Sequence, residues 1–102
     1  MATTLRPTAV SRSMRKVGTD LAIWRKLRQL TVAETADRAG IDVKTVARLE
    51  AGEGATLENV MRVTRALGIL DVLTEALDPY ASDVGRLRSD EALPTRVRRR
   101  SP

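Results

Sequence analysis

Residues 30–52, LTVAETADRAGIDVKTVARLEAG, admit few structures. Thr31 followed three residues later by Glu34 is the S/T-x-x-E pattern, in which a helix N-cap and its third residue satisfy each other's backbone donors. Ala36 lies one turn before Gly40, and both are small where two helices must approach closely. Gly40 can take the left-handed backbone that ends a helix without steric cost. Asp42 then caps a second helix, whose Val46 and Leu49 share an apolar face with Ile41. Lys44 and Arg48, one turn apart, occupy the opposite face. The window predicts two short helices joined by a tight turn, the first bracing the second and the second presented to a groove.

An ordinary helical bundle can carry Ala, Gly and Val at these intervals. The coincidence of cap, turn, apolar stripe and basic outer face favours the groove of a DNA duplex. Composition points the same way. A chain of 102 residues, 42% hydrophobic, supports one small domain with one modest core. With one Trp, one Tyr and no Phe, that core must be Leu, Val, Ile, Ala and Met, which suits closely packed helices and predicts an all-α fold. The same scarcity of aromatic platforms disfavours stacking of single-stranded bases, and so RNA as the ligand. Cys and His are absent, so no disulfide, thiol nucleophile or zinc site is expected. No pair of carboxylates stands in a catalytic pattern, and Ser and Thr lack an activating base; neither an enzyme nor a cofactor or metal is expected. No apolar run reaches the length of a membrane span or of a signal-peptide core, and the reading is a cytoplasmic, nucleoid-associated bacterial protein.

Charge is uneven along the chain, and its distribution matters more than the net +5. Residues 1–18 hold Arg6, Arg12, Arg15 and Lys16 and no acid, which is +4; with Pro7 and scattered Ser and Thr they read as a disordered basic arm. Residues 19–78 have eight basic and ten acidic side chains, or −2, and residues 79–102 have six and three, or +3. Favourable phosphate contact must therefore come from a local patch plus the two ends.

The 19–78 segment reads as the folded domain. Its first helix is expected from about Thr19 to Gln29, capped by Gly18 or Thr19, with Leu21, Trp24 and Leu27 buried. After the two helices already described, EAGEGAT is a loop. Thr56 caps a fourth helix with Leu57, Val60, Met61, Thr64 and Leu67 inward, and Gly68 ends it. A short fifth helix, Ile69 to Leu77, stops before Pro79 and carries Leu70, Leu73 and Leu77 as a core stripe or dimer seam. Residues 79–102 are broken by Ser82, Gly85, Ser89 and Pro94, so that only 86–93 can form a short turn or helix. They end in RVRRR, as a solubilising tail, an auxiliary DNA arm or a docking peptide.

The order WRKLRQLT into TVAETADRAGIDVKTVARLEAG resembles the Xre family of Cro- and lambda-repressor-like DNA-binding domains over roughly residues 19–77. Arg25, Ala36, Gly40, Val46, Leu49, Glu50 and Gly52 carry the likeness. The resemblance implies a five-helix lambda-repressor-like domain and an ion pair between Arg25 and Glu50. It also implies that Val43, Lys44, Ala47 and Arg48 face base edges, and that Thr31, Thr45, Thr56 and Leu57 lie at phosphates. Four departures stand out: Val32 where Gln is usual, Thr35 for Leu, Gln29 for Gly, and Glu53 for a frequently basic loop residue.

The expected function is a sequence-specific double-stranded DNA-binding transcriptional regulator, a repressor that binds its operator as a homodimer over two half-sites one helical turn apart. The segment TLENVMRVTRALGILDVL with its basic end is similar to HipB-like antitoxins. That gives the alternative: an autoregulator whose main role is to bind a partner toxin protein through helix 69–77 and tail 80–100.

Overall fold

The computed structural model describes residues 5–92; residues 1–4 and 93–102, with the RVRRR run and the end of the 80–100 docking segment, lie outside the described residues. Among the described residues the elements are α1 (Thr8–Leu27), α2 (Val32–Ala39), α3 (Val43–Glu50), α4 (Leu57–Ala66), α5 (Leu70–Ala76), a 3-10 turn (Pro79–Ala81) and α6 (Asp83–Ala92), with no strand. The chain divides into two compact units, Met1–Leu70 and Asp71–Pro102.

The first unit has its core between Leu21 and Ile69. Val46, Val63, Leu67 and Thr35 are its most deeply buried side chains, joined by Leu21, Leu30, Ala36, Ala39, Leu49 and Ile69. Trp24, Val32, Ile41, Val60 and Ala66 pack against this cluster. Thr35, buried where Leu is usual, is satisfied because its hydroxyl donates to the Thr31 carbonyl at 3.0 Å. Val32 turns inward as a packing residue, which accounts for a hydrocarbon where the resemblance expects an amide.

Four helices end in the same way. A residue within two positions of each helix end takes positive φ: Gln29 (60°), Gly40 (73°), Gly52 (78°) and Gly68 (76°). At the last of these, the Gly68 N–H donates to the Arg65 carbonyl and the Ile69 N–H to the Thr64 carbonyl, the paired bonds of a Schellman motif. Arg28 adds a further tie, donating from Nε to the Leu67 carbonyl at 2.9 Å while its guanidinium lies over the Trp24 ring.

Several expectations change. The first helix begins at Thr8, eleven residues before Thr19, so most of the expected 1–18 arm is helical. Gly18 is no cap but a mid-helix contact: a Cβ there would stand 2.5 Å from the carbonyl oxygens of Leu49 and Glu50. Gly52 similarly accepts the backbone of Arg15. The early turns of α1 are thus held by close approach to the end of α3, which leaves no strong apolar period in the sequence. Leu27 and Leu57 are exposed, not inward, because each sits in a terminal turn beyond the packed stretch; Val63 takes the inward place on α4. Ile69 belongs to the core but precedes α5, and Leu77 is 79% exposed.

The second unit contains a sixth helix, an addition to the five expected. Its Gly85 lies so close to the Pro79 carbonyl that no side chain fits there. Asp78 caps the 3-10 turn by accepting from the Tyr80 N–H, and Arg86 donates to the Tyr80 carbonyl. Gly85, read as an interruption, is what lets α6 fold back onto this turn.

Candidate nucleic-acid interface

The start of α2 is fixed by a complete capping box: the Glu34 N–H donates to Thr31 Oγ1 at 3.0 Å, and the Thr31 N–H to Glu34 Oε1 at 2.8 Å. Gly40 then turns the chain, and Asp42 starts α3 by accepting at one oxygen from the Thr45 N–H and the Thr45 hydroxyl, at 2.8 and 2.6 Å. These hydrogen bonds hold both carboxyls below the ordinary carboxylate range: Glu34 through the backbone and then the side chain of Thr31, Asp42 through the side chain and then the backbone of Thr45.

Rotation of α3 about its axis is decided by burial. Val46 is wholly inaccessible and Leu49 nearly so, while Val43, Lys44, Ala47 and Arg48 are all exposed on the outward side. The helix end is locked by a two-pronged ion pair. Arg25 Nε donates to Glu50 Oε2 at 2.7 Å, its Nη2 donates to Oε1 at 3.1 Å, and its Nη1 donates to the Leu30 carbonyl at 2.9 Å. Both side chains are largely buried, and the Glu50 carboxylate raises the Arg25 pKa against the opposing effect of burial.

Beside the outward face, an open groove of about 400 Å³ runs between α3 and the start of α4 and is lined by Thr45, Arg48, Glu53, Thr56 and Asn59 among others. The sequence-predicted phosphate residues divide here. Thr45 and Thr56 share the groove; Leu57 opens α4 with its side chain in solvent, and Thr31 stands at the start of α2. Their hydroxyls differ as well. Thr45 already donates to Asp42, whereas Thr56 Oγ1 accepts from the Asn59 N–H and keeps its hydrogen for an outside acceptor. Asn59 escaped the sequence reading, and Glu53 entered it only as a departure from a frequently basic loop residue. Asn59, half-buried, holds the third position after the Thr56 cap, a spacing that could have flagged it. Glu53 forms an ion pair with Arg48, Oε1 to Nε at 3.7 Å, which no local sequence pattern announces.

A braced helix with its basic side outward, following a capped helix and a glycine turn, defines a DNA-binding helix-turn-helix domain. A family model described as Helix-turn-helix matches residues 21–71, half of the chain, and the chain belongs to that family, in its Xre and lambda-repressor-like form. It is therefore a DNA-binding protein of the transcription-regulator type, from a family not typically enzymatic. The early turns of α1 lie outside the matched segment. No curated protein and no solved structure matches the chain. No helix among the described residues is long and apolar enough to cross a membrane.

Proposed function

We propose that the chain is a sequence-specific repressor, acting on duplex DNA in the cytoplasm at the nucleoid, that inserts α3 into the major groove as a homodimer. The observation that carries this reading is the exposure of Val43, Lys44, Ala47 and Arg48 together on a helix whose other side is clamped by Val46, Leu49 and the Arg25–Glu50 pair. Lys44 and Arg48 donate to guanine O6 and N7, Arg48 bidentately, and Val43 and Ala47 meet thymine methyls. Thr56, the exposed N-terminus of α4 at Leu57, and Thr31 approach phosphates, with Thr45 limited by its bond to Asp42. One such module buries little DNA surface, so two copies on adjacent half-sites supply the affinity. Shift assays on a duplex selected from a random library test it. Lys44→Ala and Arg48→Ala should each lose about 1–3 kcal/mol of specific binding, and unchanged affinity in both would remove α3 as the reading helix.

A second reading has its own observation. In the unit of residues 71–102, Val72, Leu77, Tyr80, Val84 and Leu87 are each more than half exposed. Such apolar exposure supports a protein partner, as for an antitoxin-type autoregulator, and copurification of a stoichiometric toxin from the native host would favour it over simple repression.

A further inference from the structure

We propose that Glu53 is a specificity-determining residue: a neighbouring counter-charge that biases Arg48 away from the phosphates of non-cognate duplex while leaving it free to read guanine. The inference rests on the reading of α3 as the groove-entering helix.

Its position is imposed by the backbone. After α3, Gly52 takes φ +78° and its N–H donates to the Leu49 carbonyl at 3.0 Å, while the Glu53 N–H donates to the Arg48 carbonyl at 2.9 Å. This Schellman turn returns residue 53 over residue 48 and brings the Glu53 carboxylate to 3.7 Å from Arg48 Nε. The pair is no stability device. Its side chains are 67% and 61% exposed, and the separation is long for a hydrogen bond, so it adds little to folding and opens readily. The groove-lining Thr45, Thr56 and Asn59 are neutral, which leaves Glu53 as the counter-charge Arg48 meets there.

The two kinds of DNA contact treat this pair differently. Guanine is read by the terminal fork of the guanidinium, its two Nη groups, while Nε points sideways and can stay with Glu53. Capture of Arg48 by a phosphate draws the side chain toward the backbone, where either the pair breaks or the carboxylate is carried against the polyanion. The penalty therefore falls on sequence-independent contact more than on base reading, which is discrimination by disfavouring the wrong partner.

The test compares full-length wild type, Glu53→Gln, Arg48→Ala and the double variant. The probes are the duplex that wild type selects from a random library and a scrambled duplex of equal length and composition, titrated by anisotropy across a salt series. Glu53→Gln should leave the melting temperature unchanged. It should tighten binding to the scrambled duplex about two- to fivefold, tighten the selected duplex less, and steepen the salt slope on the scrambled duplex by about one. In the Arg48→Ala background most of that gain should vanish. An equal gain on both duplexes, an unchanged slope, or an undiminished gain without Arg48 would overturn the proposal and leave Glu53 as a bare like charge. A loss confined to the selected duplex would overturn it too, making Glu53 an orienting residue. Wild type that selects no duplex overturns the groove-reading assignment itself, and that is seen before any variant is made.

Discussion

Gln29 holds φ 60° at a position where three other helix ends of this chain place glycine. A non-glycine residue pays about 1–2 kcal/mol for this conformation, and glycine loses about 0.5–1 kcal/mol of that advantage through the entropy of the unfolded chain. Gln29→Gly should therefore stabilise the protein by about 0.5–1 kcal/mol, read as a higher denaturant midpoint at unchanged slope. The departure from glycine was visible in the sequence; that it sits at a left-handed turn was not. Arg25 is the reverse case. Twenty-five residues separate it from Glu50, and no spacing rule joins them; the pairing entered through family resemblance alone. In the structure it makes three hydrogen bonds from a largely buried site. Arg25→Ala should cost about 3 kcal/mol in urea unfolding by stranding Glu50, and Arg25→Met with Glu50→Leu should recover much of that loss.

At the scale of elements, caps were the most legible feature. Thr31, Asp42 and Thr56 each start a helix as their chemistry demands, since a short polar side chain beside an unpaired N–H needs no distant residue to define its partner. Glu34 and Asp42 have pKa values lowered in the fold, so their contribution is present above the ordinary carboxylate value of about 4 and is lost as pH falls through their depressed values. Asp42→Asn keeps an N-cap but removes the titration: wild type should melt higher at neutral pH, with the gap closing below about pH 4. The extent of α1 was poorly legible, because its early turns are held by close approach at Gly18 and Gly52 and not by a broad apolar stripe. Gly18→Ala discriminates the two kinds of cause. Helix propensity alone favours alanine by about 1 kcal/mol, yet the clash with the α3 carbonyls should make the variant about 1–3 kcal/mol less stable in thermal melts.

For the whole molecule, the placement of charge changes meaning. Arg12, Arg15 and Lys16 are exposed on a folded helix, not on a loose arm, and Lys16 pairs with Asp20 at 2.6 Å. Met14 and Val17 line an apolar cleft of about 180 Å³ with Leu49 and Val60. Deleting residues 1–17 should accordingly lower the melting temperature as well as weaken DNA contact. Removing residues 71–102 should leave the fold of the first unit intact. Among the described residues, every buried core residue lies between Leu21 and Ile69, so the shortened chain should keep a cooperative melt by circular dichroism.

Local chemistry was enough to establish the helical class, the helix starts, the turn at Gly40 and the basic outer side of α3, because each depends on residues within about a turn or two of one another. Tertiary packing alone decided the length of α1, the left-handed Gln29 and the inward turn of Val32. Those outcomes depend on how closely two backbones approach and where a carbonyl or charge arrives from elsewhere in the fold, quantities that no window of neighbouring residues contains.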